Sequence, residues 1–201
     1  MKKAYVIAGL FLLAGLSFAV YSQVLKPQLD NRMVTAVVPT TIDRPDILLS
    51  FTYPSGEAGY ALVEPPVAEE SDIKAVFLLM ETERYIKHQG KEDEEDAPPV
   101  ISVMVFDNQA DETEGGRITR MQNWAEKNSA LTGFDNLSTE SEVVEIDGAR
   151  AIHYQTEGKY KKDMYLVSHR GNMYLFVGQS ESDDDKMQQT YQDLIGSVLF
   201  Y

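Results

Sequence analysis

The stretch MYLVSHRGNMYLFVG, Met164 to Gly178, decides the fold. A strand with one face in water alternates apolar and polar residues, and these two runs do not. Met164 and Leu166 occupy one face of the first run, with Tyr165 and Val167 on the other. Met173 and Leu175 oppose Tyr174 and Phe176 on the second run in the same way. Strands that are apolar on both faces are covered on both faces. Gly171-Asn172 between them suits a two-residue type II′ turn, which makes the pair an antiparallel hairpin. The expected class is therefore α+β: an antiparallel β-sheet covered by helices on both faces, an α/β/α sandwich.

The covering helices are found by their period. In GRITRMQNWAEKNSALTG, from Gly116, residues Ile118, Met121 and Ala125 recur at helical spacing, Trp124 widens the stripe and Gly133 supplies a stop. In SDDDKMQQTYQDLIGSVLF, Ser182 is placed to cap, Asp185 completes an S-x-x-D box, and Asp183 to Asp185 lie at the positive end of the helix dipole. Met187, Tyr191, Leu194 and Val198 form its buried stripe. Further strands are expected at Ile47 to Pro54, at Tyr60 to Val63, from Ile73, and at Val100 to Asn108, the last two as antiparallel partners. Asp147-Gly148 predicts a type I′ turn between Val143 and Tyr154.

The amino-terminal stretch MKKAYVIAGLFLLAGLSFAVYSQ begins with Lys2 and Lys3, then carries no charge from Ala4 to Leu25. Its apolar part, Ala4 to Tyr21, is near the ~18 to 20 residues that cross a bilayer and exceeds the usual signal-peptide core. A hydrophobic helix is expected there, as an anchor or a cleaved signal over 1–22. The lysines stay inside, because they abut the run while Lys26 and Arg32 lie further from it, and the chain beyond Tyr21 is expected to be exported to the cell envelope or secreted. Residues 23–46, punctuated by Pro27, Pro39 and Pro45, read as a linker, which leaves 47–201 as the domain.

Composition narrows the function. With 32 acidic against 18 basic residues the formal charge is −14, which argues against nucleic acid and anionic headgroups as partners of the folded part. Contact with the membrane is expected through the amino-terminal segment only. The absence of cysteine excludes disulfides, thiol chemistry and cysteine-ligated metals. His88, His153 and His169 form no H-x-H, H-x-x-x-H or H-E-x-x-H pattern. By strand parity His153 shares a face with Ala151 and Gln155 and is expected to pad a semi-polar helix contact. GQSES, Gly178 to Ser182, lacks the second glycine of a nucleophile elbow. Gly115-Gly116 precedes a helix, but Glu112 and Glu114 beside it repel an anion. The acidic residues cluster in loops where they stay ionised, without the desolvation that separates a catalytic pair. No catalytic residue and no cofactor are expected.

One local feature stands out, the acidic and proline-closed loop from Lys91 to Pro99. Glu92, Asp93, Glu94, Glu95 and Asp96 are candidate contacts for a divalent cation such as calcium or for a basic partner, although they lack the D-x-[DN]-x-[DN]-G spacing that wraps one ion. Asn136-Leu137-Ser138 matches a glycosylation sequon.

The order of these elements resembles the PsbP-like family, named for an extrinsic protein of photosystem II. The resembling text is FTYPSG from Phe51, WAEKNSALTGF from Trp124, VVEIDGARA from Val143, GNMYLFVG from Gly171 and YQDLIGSVLFY from Tyr191, within Leu48 to Tyr201. The resemblance implies a non-enzymatic binding or assembly module, with a protein as partner and an exported bacterial setting. It offers no catalytic residue to carry over, and the lack of a plain cofactor motif departs from the photosynthetic members. An extracytoplasmic enzyme or small-ligand protein with a dispersed site is the alternative, which a deep, partly apolar pocket would favour.

Overall fold

The computed structural model describes residues 37–88, 97–108, 116–182 and 185–201. Through these the chain runs β1 (Val38–Arg44), β2 (Leu49–Ser55), β3 (Tyr60–Val63), β4 (Ile73–Glu81), α1 (Thr82–His88), β5 (Ile101–Asp107), α2 (Arg117–Lys127) and α3 (Ser129–Thr132). It continues through β6 (Glu142–Ile146), β7 (Ala149–Thr156), β8 (Lys161–His169), β9 (Asn172–Ser180), α4 (Lys186–Ser197) and β10 (Leu199–Phe200). Spatial order in the sheet is β1-β2-β3-β4-β5-β9-β8-β7-β6, with β10 also on β2. The non-alternating hairpin, β8 and β9, thus lies between other strands on both sides.

Two cores arise from its two apolar faces. On one, Phe77, Leu79, Val103, Val105, Tyr174 and Phe176 pack beneath Met187, Tyr191, Leu194 and Ile195 of α4. On the other, Met104, Phe106, Ile152, Tyr154, Leu166 and Leu175 pack beneath Met121 and Ala125 of α2. Trp124 meets Phe106 edge-on, and Phe134 meets Tyr154 in the same way. Val198, just past α4, is buried as its stripe requires. Gly178 lets α4 settle, since a Cβ there would stand 2.4 Å from the Tyr191 ring.

Five expectations need correction. The linker over 23–46 ends earlier than predicted, because Val38–Arg44 pairs with β2 along its whole length. Its prolines misled: Pro39 sits in an edge strand and Pro45 opens a 3-10 turn, both places where a missing amide costs little. The sheet is mixed and not purely antiparallel, since β2 and β3 run parallel through the single pair Ser55 and Tyr60. The α4 face is covered by strand as well as helix, with Leu49, Phe51 and Tyr53 of β2 in the same core as α4. The last hairpin turns at Arg170-Gly171, both at positive φ as in type I′, which places Asn172 inside β9 and buries it. Asp185 itself caps α4, accepting from Met187 N at 3.0 Å, because its carboxylate lies immediately before the helix and at its positive end.

The strand cover is possible because β2 is barely tied to β3. The amide of Thr52, a residue that β3 does not reach, donates to the Ser197 hydroxyl of α4 at 2.9 Å. Freed from the plane, β1 and β2 fold back across the sheet. The Arg44 guanidinium stands 5.7 Å from the centre of the Phe77 ring, and Tyr174 of β9 donates to the Ile47 carbonyl at 2.8 Å although β3, β4 and β5 separate β9 from β2 in the sheet order. The chain end locks this layer: Phe200 N donates to Asp147 Oδ2 at 2.7 Å, and Leu199 and Phe200 pair with Ser50 and Leu49.

The expected amino-terminal helix falls outside the described residues, among which no helix is long and apolar enough to cross a membrane. Leu194 is fully buried at the junction of α4 with the sheet. Leu194→Ala is expected to cost about 2 to 5 kcal/mol in urea denaturation; an unchanged midpoint would show that α4 packs elsewhere.

Candidate functional site

The residues predicted for contact, Glu92 to Asp96, lie outside the described residues, as do Glu112, Glu114 and Gly115. The other candidates are not brought together. His88 ends α1, while His169 stacks on Phe200 with ring centroids 5.2 Å apart. Ser180 is buried at the end of β9, and its hydroxyl has no hydrogen-bond partner among the described residues. Asn136 of the sequon is exposed and donates to Asp135 at 3.1 Å. Among the described residues no group of three or more histidines and carboxylates is placed to hold a metal.

What the fold does assemble is a polar cluster between β6, β7, β8 and α4. Glu142 and His153 are direct cross-strand partners, and Tyr165 is the partner of His153 on the other side. Parity puts Asp163 on the same face, diagonal to His153. His153 Nδ1 lies 2.8 Å from Glu142 Oε1, and Nε2 lies 2.5 Å from Asp163 Oδ1. The ring stacks on Tyr165, centroids 4.3 Å apart and planes 18° from parallel. Asp163 Oδ2 accepts from Gln188 Nε2 at 2.8 Å and from Gln192 Nε2 at 2.7 Å. Those two glutamines are one helical turn apart, so both amides reach one point.

An imidazole with an acceptor at each nitrogen satisfies both only as the imidazolium. The bond to Asp163 raises the pKa of His153 above its ordinary value, burial opposes this, and the bond to Glu142 adds to it. The two carboxylates differ in setting: the Asp163 side chain is 3% exposed and that of Glu142 is 65% exposed. Behind Tyr165, burial pushes the Tyr191 hydroxyl well above its usual range. A histidine beside a carboxylate is half of many catalytic sets. In the imidazolium neither ring nitrogen is free to take a proton from a substrate. The anticipated semi-polar helix contact of His153 is present at one remove, with Asp163 standing between the ring and α4.

One open groove lies elsewhere, lined by Glu57, Ala58, Gly59, Glu81, Glu83 and Lys186, with about 270 Å³ of space in contact with solvent. Lys186 closes one side by donating to the Ala58 carbonyl at 3.1 Å. It is polar and open to solvent, unlike an enclosed apolar pocket with converging polar groups.

The arrangement of strands and helices as a whole is similar to a known architecture. The chain has a PsbP-like fold. The solution structure of cyanobacterial PsbP from Synechocystis is similar with a TM-score of 0.53 at 15% identity, over 84% of this chain and 95% of that one. A crystal structure from Bacteroides thetaiotaomicron has a TM-score of 0.44 at 10% identity, over 80% of this chain and 48% of that one. No family model and no curated protein matches the chain.

On this PsbP-like fold the cluster joins the carboxyl-terminal helix to the edge of the sheet. Sequence reasoning singled out His153 and missed Asp163, Gln188, Gln192 and Glu142. A signal was present: an aspartate immediately before the apolar run Met164 to Val167, and a glutamine pair spaced i, i+4 beside an apolar stripe. Asp163→Ala deletes the acceptor of three donors within a buried layer. It is expected to destabilise by about 3 to 5 kcal/mol, read by urea denaturation at pH 6; a loss below about 1 kcal/mol would mean that the donors find other partners.

Proposed function

We propose that this PsbP-like chain is a non-enzymatic binding or assembly module that works outside the cytoplasm, tethered by its amino-terminal apolar run or released after cleavage. The observation that carries this reading is that the histidine–carboxylate cluster around His153 uses both ring nitrogens internally, and that the groove lined by Glu57, Glu81 and Lys186, apart from that cluster, is polar and open to solvent. Binding then takes place on the surface. The formal charge of −14 suits a protein partner with a basic face and disfavours nucleic acid. The acidic loop at Glu92 to Asp96 is the proposed contact for such a partner, or for a divalent cation.

Turnover is the direct test of the non-enzymatic part. No activity is expected on a panel of ester, phosphate and glycoside substrates, and a turnover abolished by changing one residue would overturn the reading. Location is tested separately by fusing alkaline phosphatase, which needs an oxidising compartment, to Tyr201. The fusion is expected to be active; an inactive fusion beside a fluorescent cytoplasmic reporter at the same position would place the domain inside. A shortened soluble form in fractionated cells would mean a cleaved signal, and a full-length membrane form an anchor.

A further inference from the structure

His153 bridges two carboxylates of unequal burial, and that inequality determines what happens when the ring loses a proton. The neutral imidazole keeps one N–H and presents a lone pair at the other nitrogen. Asp163 is sealed under α4, where an anion deprived of a donor cannot turn to water. Glu142 is mostly exposed and can. The remaining proton therefore stays on Nε2, facing Asp163, and Nδ1 turns a lone pair toward the Glu142 carboxylate 2.8 Å away. Two acceptors at that distance repel.

We propose that His153 is a proton-operated latch on the edge strand β6: the imidazolium holds Glu142 and with it the amino-terminal end of β6, and the neutral ring releases them while α4 stays docked. The end that is released matters because β6 closes the sheet, and no described strand pairs with its far edge. Val143 is exposed there, at the rim of the sheet.

The groups that face the ring are Glu142 from β6, Asp163 and Tyr165 from β8, and Gln188 and Gln192 from α4 by way of Asp163. Lys161 lies two residues from Asp163 on the same face of β8. Tyr191 lies behind Tyr165 and keeps its proton throughout, since burial raises its pKa. The sign is set by the direction in which His153 is shifted. Its folded value is raised, so the clamp is fully present below the unfolded value of about 6.5 and is lost as pH rises through the folded one.

Hydrogen exchange of the full chain at pH 6 and pH 9, with each rate corrected for intrinsic exchange, tests this. The amides of Glu142 to Val144 are expected to lose protection at pH 9 by about two- to five-fold, the factor that goes with losing a partly exposed ion pair, while α4 is unchanged. Glu142→Gln, at an exposed position that leaves the buried pair intact, is expected to abolish that pH dependence, because a carboxamide both donates and accepts. Nitrogen-detected NMR of the wild type is expected to show the Nε2–H tautomer above the titration. Protection of β6 that does not change with pH, an equal change in Glu142→Gln, loosening of α4 in place of β6, or the Nδ1–H tautomer would each overturn the latch.

Discussion

A hairpin that is apolar on both faces cannot sit at the surface of a sheet, and the rest of the molecule is arranged around that demand. β8 and β9 each need a neighbour on either edge for their backbone groups and a layer on either face for their side chains. The edges are met by β5 and β7. One face is met by α2, whose Met121 and Ala125 fit the Ile152, Tyr154 and Leu166 side. The other face is too wide for one helix of 12 residues, and α4 shares it with a folded-back pair of strands.

That sharing explains features that look accidental when taken singly. β2 meets β3 through one residue pair, Ser197 takes the Thr52 amide where a neighbouring strand would have done so, and Tyr174 reaches the Ile47 carbonyl across the core. The Ser197 and Tyr174 hydroxyls thus pair backbone groups of this layer that no neighbouring strand takes up. The chain end then pins β2 through β10 and the Asp147 turn. The carboxyl-terminal segment from α4 to Phe200 thus clasps the fold and does not merely trail from it.

The one charged residue buried among the described residues, Asp163, enters this layer where it faces α4. A buried carboxylate is tolerable only with donors, and it has three, from His153, Gln188 and Gln192. The charge therefore ties the helix to β8 with a direction that apolar packing lacks. Through His153 the same charge reaches Glu142 at the sheet edge, so the interior of the domain and one end of its exposed rim share a single titrating group.

The sequence by itself determined the layers, because apolar parity is a local property: two residues on opposite faces of one strand are enough to require two covers. It determined α2, the stripe of α4 and the Asp147-Gly148 turn for the same reason, as periods and turn residues act within a few positions. It also determined that the chain is acidic and has no thiol chemistry. Only the tertiary structure decided that Val38–Arg44 is a strand, since its pairing partner and not its proline-marked text makes it one. The fold-back of β2 depends on Ser197, 145 residues from Thr52, and so has no local trace. The same holds for the polar cluster: His153, Asp163, Gln188 and Glu142 come from four elements, and no local pattern joins them. Their meeting is a consequence of strand register and of where α4 lands, and those are set by packing across the whole core.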